Sequence, residues 1–284
     1  MTPEQMIKAL EESGEYKVLR KLEHRDKYSE QPGVELKRAM VLDVETTGFD
    51  CETCEVIELA MVSFMFNPDT GEVADVFEPI DMLQQPSKSI PQEITNLTGI
   101  TDEMVAGKTL DKELIISEFE KAGLIIAHNA GFDRPFVEKT IPEIDGKAWG
   151  CSWKEVPWSD KGFECKKLGC LLKNKGNLFF GAHRADEDCL ALLHLLAVPF
   201  DDGTLPLKYL RESAAAGTVH VIAWDSPFAT KDILKERKYR WEPARKVWHT
   251  FISPAELEAE QKWLAENVGG APDFKVVKAT ERYK

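Results

Sequence analysis

Apolar residues recur at helical spacing at the start of the chain, with Met6, Ile7 and Leu10 ahead of Gly14, and Val18, Leu19 and Leu22 in a second short amphipathic segment. Thr2-Pro3-Glu4-Gln5 reads as a helix start with proline at the first helical position. The polar run from Glu23 to Gly33, closed by Pro32-Gly33, reads as a linker, so residues 1–38 form a helical preface. From Ala39 the pattern changes to strands: 39–45, then 55–66 with Val56, Ile57, Leu59, Met61, Val62 and Phe64, then 72–78. Asn67-Pro68-Asp69-Thr70-Gly71 is a turn that makes the last two antiparallel neighbours. Helices are predicted near 91–98, 101–106, 110–121, 132–139, 166–173 and 184–197, with short strands at 124–127 and near Trp149–Trp153. A strand meander followed by alternating strands and helices predicts an α/β fold with a mixed sheet flanked by helices over 39–198. After Pro199, a helix near 206–216 ended by Gly217 and a strand near 219–224 open a small α+β module over 199–284.

Two acids break the first of these strands. In Val41-Leu42-Asp43-Val44-Glu45-Thr46-Thr47-Gly48 the apolar residues belong to a covered sheet, yet Asp43 and Glu45, two residues apart, project from one face. An uncompensated buried ion costs several kcal/mol, so the pair calls for protonation, a basic partner or a divalent metal, unless the strand is simply an acidic edge.

Composition adds limits. The chain has 43% hydrophobic and 30% charged residues, the profile of an ordinary globular protein. It has no basic-then-apolar secretory start and no run near the roughly 18 apolar residues that cross a bilayer, so a cytoplasmic location with no membrane partner is expected. Six cysteines in 284 residues do not make a disulfide scaffold, and Cys51 and Cys54 form a single CxxC, half of a closed zinc site. The net charge of -13 is unevenly spread, for residues 39–198 hold 28 acidic and 14 basic groups while the flanks are nearly balanced. An acidic middle suits a site that collects cations and opposes broad nonspecific phosphate binding there.

Later segments supply partners for Asp43 and Glu45. Asp133 follows the strand 124–127 within His128-Asn129-Ala130-Gly131-Phe132-Asp133, where an acid is also a normal first-turn residue. Asp188 shares a helical stripe with Leu192 and Leu195, whereas Asp186 and Glu187 read as solvated neighbours. Four acids at the ends of three separate elements suit two Mg²⁺ or Mn²⁺ ions of the kind that assist phosphoryl displacement, with a nearby histidine to accept a proton.

The ordered set Asp43-x-Glu45-Thr46-Thr47-Gly48, Asn129-x3-Asp133 and His183-x4-Asp188 resembles the three motifs of the DEDDh subgroup of the DnaQ-like, RNase H-like 3′-5′ exonucleases. Leu97-Thr98-Gly99-Ile100-Thr101 resembles the segment between that family's first two motifs, which borders the 3′-terminal nucleotide. The resemblance implies metal ligands at Asp43, Glu45, Asp133 and Asp188, and a general base at His183. It implies nucleotide contacts at Thr46, Thr47, Gly48, Thr98, Ile100, Asn129 and Phe132, and a single-stranded DNA or RNA 3′ end as partner. The wider arrangement, including the Tyr16-Lys17-Val18-Leu19-Arg20 preface, also resembles bacterial polymerase III epsilon-like exonucleases. No clamp-binding segment is evident after residue 198, so a polymerase association has no support in the sequence. A noncatalytic binding module of the same fold is the alternative.

Residues 231–246 reverse the charge, with seven basic groups against three acids and Tyr239, Trp241 and Trp248 among or beside them. Lys238, Arg240, Trp241, Lys246 and Trp248 are candidate strand contacts, since bases stack on aromatics while cations track the backbone. Alternatively, Trp241, Trp248 and Trp263 form the core of a module whose surface is basic.

Overall fold

A computed structural model describes residues 1–284, which divide into two compact units: Met1–Arg211 with Tyr283–Lys284, and Glu212–Arg282. The first unit therefore runs past the boundary at 198/199 that the sequence pattern marks. It opens with α1 (Pro3–Glu12), β1 (Arg20–Lys21), β2 (Lys37–Thr46), β3 (Val56–Phe66), β4 (Val73–Val76) and β5 (Ile80–Leu83). It continues through α2 (Gln92–Thr98), α3 (Asp102–Val105), α4 (Lys112–Lys121), β6 (Ile125–Ala127), α5 (Ala130–Thr140) and β7 (Trp149–Cys151). Short α6 (Ser152–Glu155), α7 (Leu168–Gly176), β8 (Leu178–Phe179), α8 (Ala185–Ala197) and α9 (Pro206–Ala216) follow, the last crossing into the second unit.

The main sheet has the order β4-β3-β2-β6-β7, with β5 also paired to β3. β2, β3 and β4 form the antiparallel meander expected from the 67–71 turn, where Asn67 Oδ1 accepts the Asp69 amide at 2.8 Å. β6 and β7 add in parallel to β2, which gives the mixed RNase H-like arrangement. The faces of β2 divide by parity: Met40, Leu42 and Val44 join a core with Ile115, Phe119, Phe136 and Trp149 from α4, α5 and β7. Val41, Asp43 and Glu45 alternate onto the other face, where α8 packs through its buried leucines.

Two local expectations change. Val18 to Leu22 is not helical; Arg20–Lys21 instead pairs in parallel with β8, because one amphipathic turn cannot offset helix nucleation alone. The 23–33 stretch is irregular as expected but lies along β4, with Tyr28 N–H donating to Ala74 O at 3.0 Å and Ser29 Oγ to Val73 O at 2.7 Å. No helix is long and apolar enough to cross a membrane.

The second unit contains β9 (Thr218–Trp224), α10 (Lys231–Glu236), β10 (Arg240–Glu242), β11 (Val247–Ile252), α11 (Leu257–Asn267) and β12 (Ala271–Val277). Its four strands are wholly antiparallel in the order β10-β11-β9-β12. Leu234 of α10 and Leu264 of α11 pack on Val219, Val221 and Ala223, so both helices cover one face of this sheet.

Candidate active site

The ends of β2, α5 and α8 meet at an open cleft of about 890 Å³ in the first unit. Ligand oxygens of Asp43, Glu45 and Asp188 all lie within 4.8 Å of one another, with each residue half-buried. The i, i+2 spacing on β2 places the first two side by side, and α8 carries the third across that face. Asp133 lies outside this group of three but lines the same cleft, 3% exposed, from the first turn of α5. Asn129 adopts a left-handed conformation (φ 104°) as the cap of α5, which turns the chain directly from β6 into that helix.

These acids raise one another's proton affinity. Withdrawal from water, then repulsion by Asp133, Asp188, Glu45 and Glu58, holds Asp43 well above the carboxylate range. Burial and the charges of Asp188, Glu58 and Asp133 push Glu45 up to about 8, an effect that Arg184 opposes. Burial raises Asp133 to about 7 against the backbone hydrogen bonds of its own amide and that of Val44. Burial likewise raises Asp188 to about 7, although backbone amides of His183 and Arg184 stabilise its charge. A cluster of hard oxygen donors whose charges oppose one another fits a divalent cation, which would relieve the repulsion.

His183 lines the cleft just ahead of α8 in a left-handed conformation (φ 70°), and its amide donates to Asp188 Oδ2 at 2.8 Å. The other nearby histidine, His128, has both ring nitrogens engaged, Nδ1 with Ser152 Oγ at 2.6 Å and Nε2 with the Lys166 carbonyl at 2.7 Å. Burial pushes it down to about 4, so it is a neutral brace rather than a proton acceptor.

Thr46, Gly48, Thr98, Asn129 and Phe132 all line the cleft. Two residues expected beside them do not. Thr47 faces its own turn, where its hydroxyl accepts the Glu55 amide at 3.0 Å, and Ile100 is fully buried with Ile57, Ile90 and Ile94. Gly48 is constrained by packing, for a Cβ there would stand 2.7 Å from Cys54 Sγ. Both Cys51 and Cys54 are free thiols.

Sequence reasoning passed over Glu58. It is fully buried on β3, in register with Glu45, and accepts from Arg184 Nε at 2.9 Å, Arg184 Nη2 at 2.6 Å and the Ala185 amide at 2.9 Å. The available signal was an acid inside the apolar run Val56-Ile57-Glu58-Leu59. Asp186 and Glu187, read as solvated, are half-buried, and Glu187 accepts the Gly181 amide and pairs with Lys21 at 3.7 Å. Phe49 and Trp153, also unassigned from sequence, stand at the cleft with exposures of 82% and 37%.

The exonuclease family model of RNase T type matches residues 40–196. The chain is 31% identical over 155 residues to the DNA polymerase III subunit epsilon of Aquifex aeolicus, covering 52% of this chain and 73% of that protein. It is 31% identical over 186 residues to the PolC-type DNA polymerase III of Clostridium perfringens, covering 60% of this chain but only 12% of the polymerase. Among solved structures, Exonuclease X in complex with 5′ overhanging duplex DNA aligns at a TM-score of 0.41 and 25% identity, over 55% of this chain and 88% of that one. The matched span contains every carboxylate of the cleft and His183, and the chain belongs to the RNase T-type exonuclease family.

Proposed function

We propose that the chain removes nucleotides from the 3′ end of single-stranded nucleic acid, DNA above RNA, through a centre of two Mg²⁺ or Mn²⁺ ions. The observation that carries the reading is the convergence of Asp43, Glu45 and Asp188 within 4.8 Å, with Asp133 beside them. Buried acids that repel one another destabilise the fold unless a cation joins them. The preference for DNA follows the relatives, which are DNA polymerase III components.

In this assignment Asp43, Glu45, Asp133 and Asp188 hold the ions. Bound ions of this kind supply charge neutralisation and a polarised attacking water. His183 would accept the proton of the attacking water, a role left to it because the ring of His128 is already committed. The hydrogen bond from its backbone amide to Asp188 Oδ2 ties the base to the carboxylate whose position it must match. The terminal nucleotide sits among Thr46, Gly48, Thr98, Asn129 and Phe132, while Thr47 and Ile100 shape that pocket from behind. Catalysis is assigned to residues 39–198, after the 1–38 preface, and an accessory role to 199–284.

The direct test pairs calorimetric Mn²⁺ titration with nucleotide release from a single-stranded oligonucleotide. Ion uptake and release that both vanish in Asp43→Asn support the assignment. Ion uptake without hydrolysis by the unaltered chain would instead favour a noncatalytic binding module.

A further inference from the structure

The second unit runs β9-α10-β10-β11-α11-β12, with β9 and β11 central and both helices on one face. This βαββαβ order leaves the opposite face of the sheet without a helix, and the side chains there are unusual for a merely solvated surface. By alternation that face carries His220, Ile222 and Trp224 from β9, Val247, His249 and Phe251 from β11, and Arg240 and Lys275 from the outer strands. The His220 ring stacks on Phe251 with centroids 4.4 Å apart and an 11° interplanar angle. His220 Nε2 also meets His249 Nδ1 at 3.2 Å, which locks the two imidazoles beside the phenyl ring. Ile222 and Val247 are buried, yet Phe251 is 54% exposed. A cross-strand aromatic pair of this kind stabilises a sheet modestly, and the exposure of Phe251 leaves its ring accessible to a further partner.

Charge surrounds this stack. The segment 238–246 that contains β10 holds Lys238, Arg240, Arg245 and Lys246 against Glu242 alone. Arg245 lies over the Trp224 ring at 5.2 Å, and Lys275 is in register with His220. The open face carries two acids, Glu242, in register with Val247 and paired with Arg245 at 3.4 Å, and Asp273, in register with Ile222, against the five cations Lys238, Arg240, Arg245, Lys246 and Lys275 on or beside it. Trp248, by contrast, belongs to the helix-covered side, where it packs against the core, and Trp241 is in register with it.

We infer that the open sheet face centred on Phe251 binds single-stranded nucleic acid, with bases stacking on Phe251 and the histidines and phosphates meeting Arg240, Arg245, Lys275 and the flanking Lys238 and Lys246. A four-stranded sheet with aromatics on its central strands is a known solution for stacking unpaired bases, which are sequence-tolerant ligands because every base has a π face. The inference rests on the exonuclease reading only for the source of the strand.

The test measures anisotropy of fluorescein-labelled dT12 and rU12 with the full chain in EDTA, so that no hydrolysis intervenes. Phe251→Ala weakens binding by about 10- to 100-fold, the span expected for loss of one stacked base. Phe251→Trp restores it to within about twofold, and this rescue separates stacking from misfolding. Trp241→Ala, on the opposite side, leaves it unchanged. Hydrolysis of a p-nitrophenyl ester of thymidine 5′-monophosphate with Mn²⁺ stays unaltered in Phe251→Ala. If the unaltered chain shows no ester hydrolysis while Phe251→Ala still loses binding, the exonuclease reading fails and this one stands. Binding by Phe251→Ala equal to that of the unaltered chain, or a larger loss in Trp241→Ala, overturns it.

Discussion

Arg184 grips the fully buried carboxylate of Glu58 with two donors, at 2.9 and 2.6 Å, and so joins the start of α8 to β3 one strand across from Glu45. The partners are unequal, because the Arg184 side chain keeps 38% exposure while that of Glu58 has none. Removing Arg184 strands a buried anion, whereas removing the charge of Glu58 frees a cation that water can reach. Arg184→Met is expected to lower unfolding stability by about 3–5 kcal/mol and Glu58→Gln by about half as much. Urea midpoints at pH 7.5 check this, and equal losses would mean that the pair contributes by symmetric packing rather than by charge burial.

The crowding of acids predicts an inverse relation between stability without metal and response to metal. In EDTA, Asp43→Asn melts above the unaltered chain because one repelling charge is gone. On adding Mn²⁺ the unaltered chain rises in Tm and Asp43→Asn does not, since binding to the folded state alone is what stabilises it. Thermal scans in both conditions give the answer, and a lower EDTA melting point for Asp43→Asn contradicts the electrostatic account.

His194 supplies a pH dependence away from the cleft. It is 6% exposed, hydrogen-bonded to the Tyr28 hydroxyl at 3.1 Å, and pushed down to about 4 by burial and by the charges of Arg25 and Lys175. The unfolded chain binds this proton below about 6.5 and the folded chain does not, so the ring's contribution is complete above that pH. Stability is then lost as the pH falls from about 6.5 towards 4, by up to about 3 kcal/mol for this group. His194→Asn is expected to be less stable than the unaltered chain at pH 7.5, with the gap closing by pH 5. A gap that stays constant over this range would assign the histidine a packing role only.

For His183, a role as proton acceptor separates turnover from metal affinity. His183→Ala lowers kcat by about 10²- to 10⁴-fold while Mn²⁺ affinity changes little. Parallel losses in both would identify a structural residue that orders the turn into α8.

Much of the cleft is legible in the sequence because its signals are local. Asp43 and Glu45 interrupt an apolar strand, and Asp188 lies on the stripe of Leu192 and Leu195, so each acid is out of place within a few residues of itself. The partnership of Glu58 and Arg184 spans 126 residues and depends on sheet register, which no local pattern encodes. Ile100 shows the converse error, since a segment bordering the cleft need not direct each side chain into it. In the second unit, the tryptophans draw attention in the sequence. Strand parity then assigns Trp248 to the packed side and Phe251 to the open one, a distinction that requires knowing which strands pair.

The most direct measurement follows matched oligonucleotides labelled at the 5′ or the 3′ end, incubated with Mn²⁺, with EDTA and Asp188→Asn as controls. The account predicts a descending ladder from the 5′-labelled strand, immediate release of labelled mononucleotide from the 3′-labelled one, and neither product in EDTA or with Asp188→Asn. Intact 3′ labels on shortened strands, or the same products from Asp188→Asn, would contradict it.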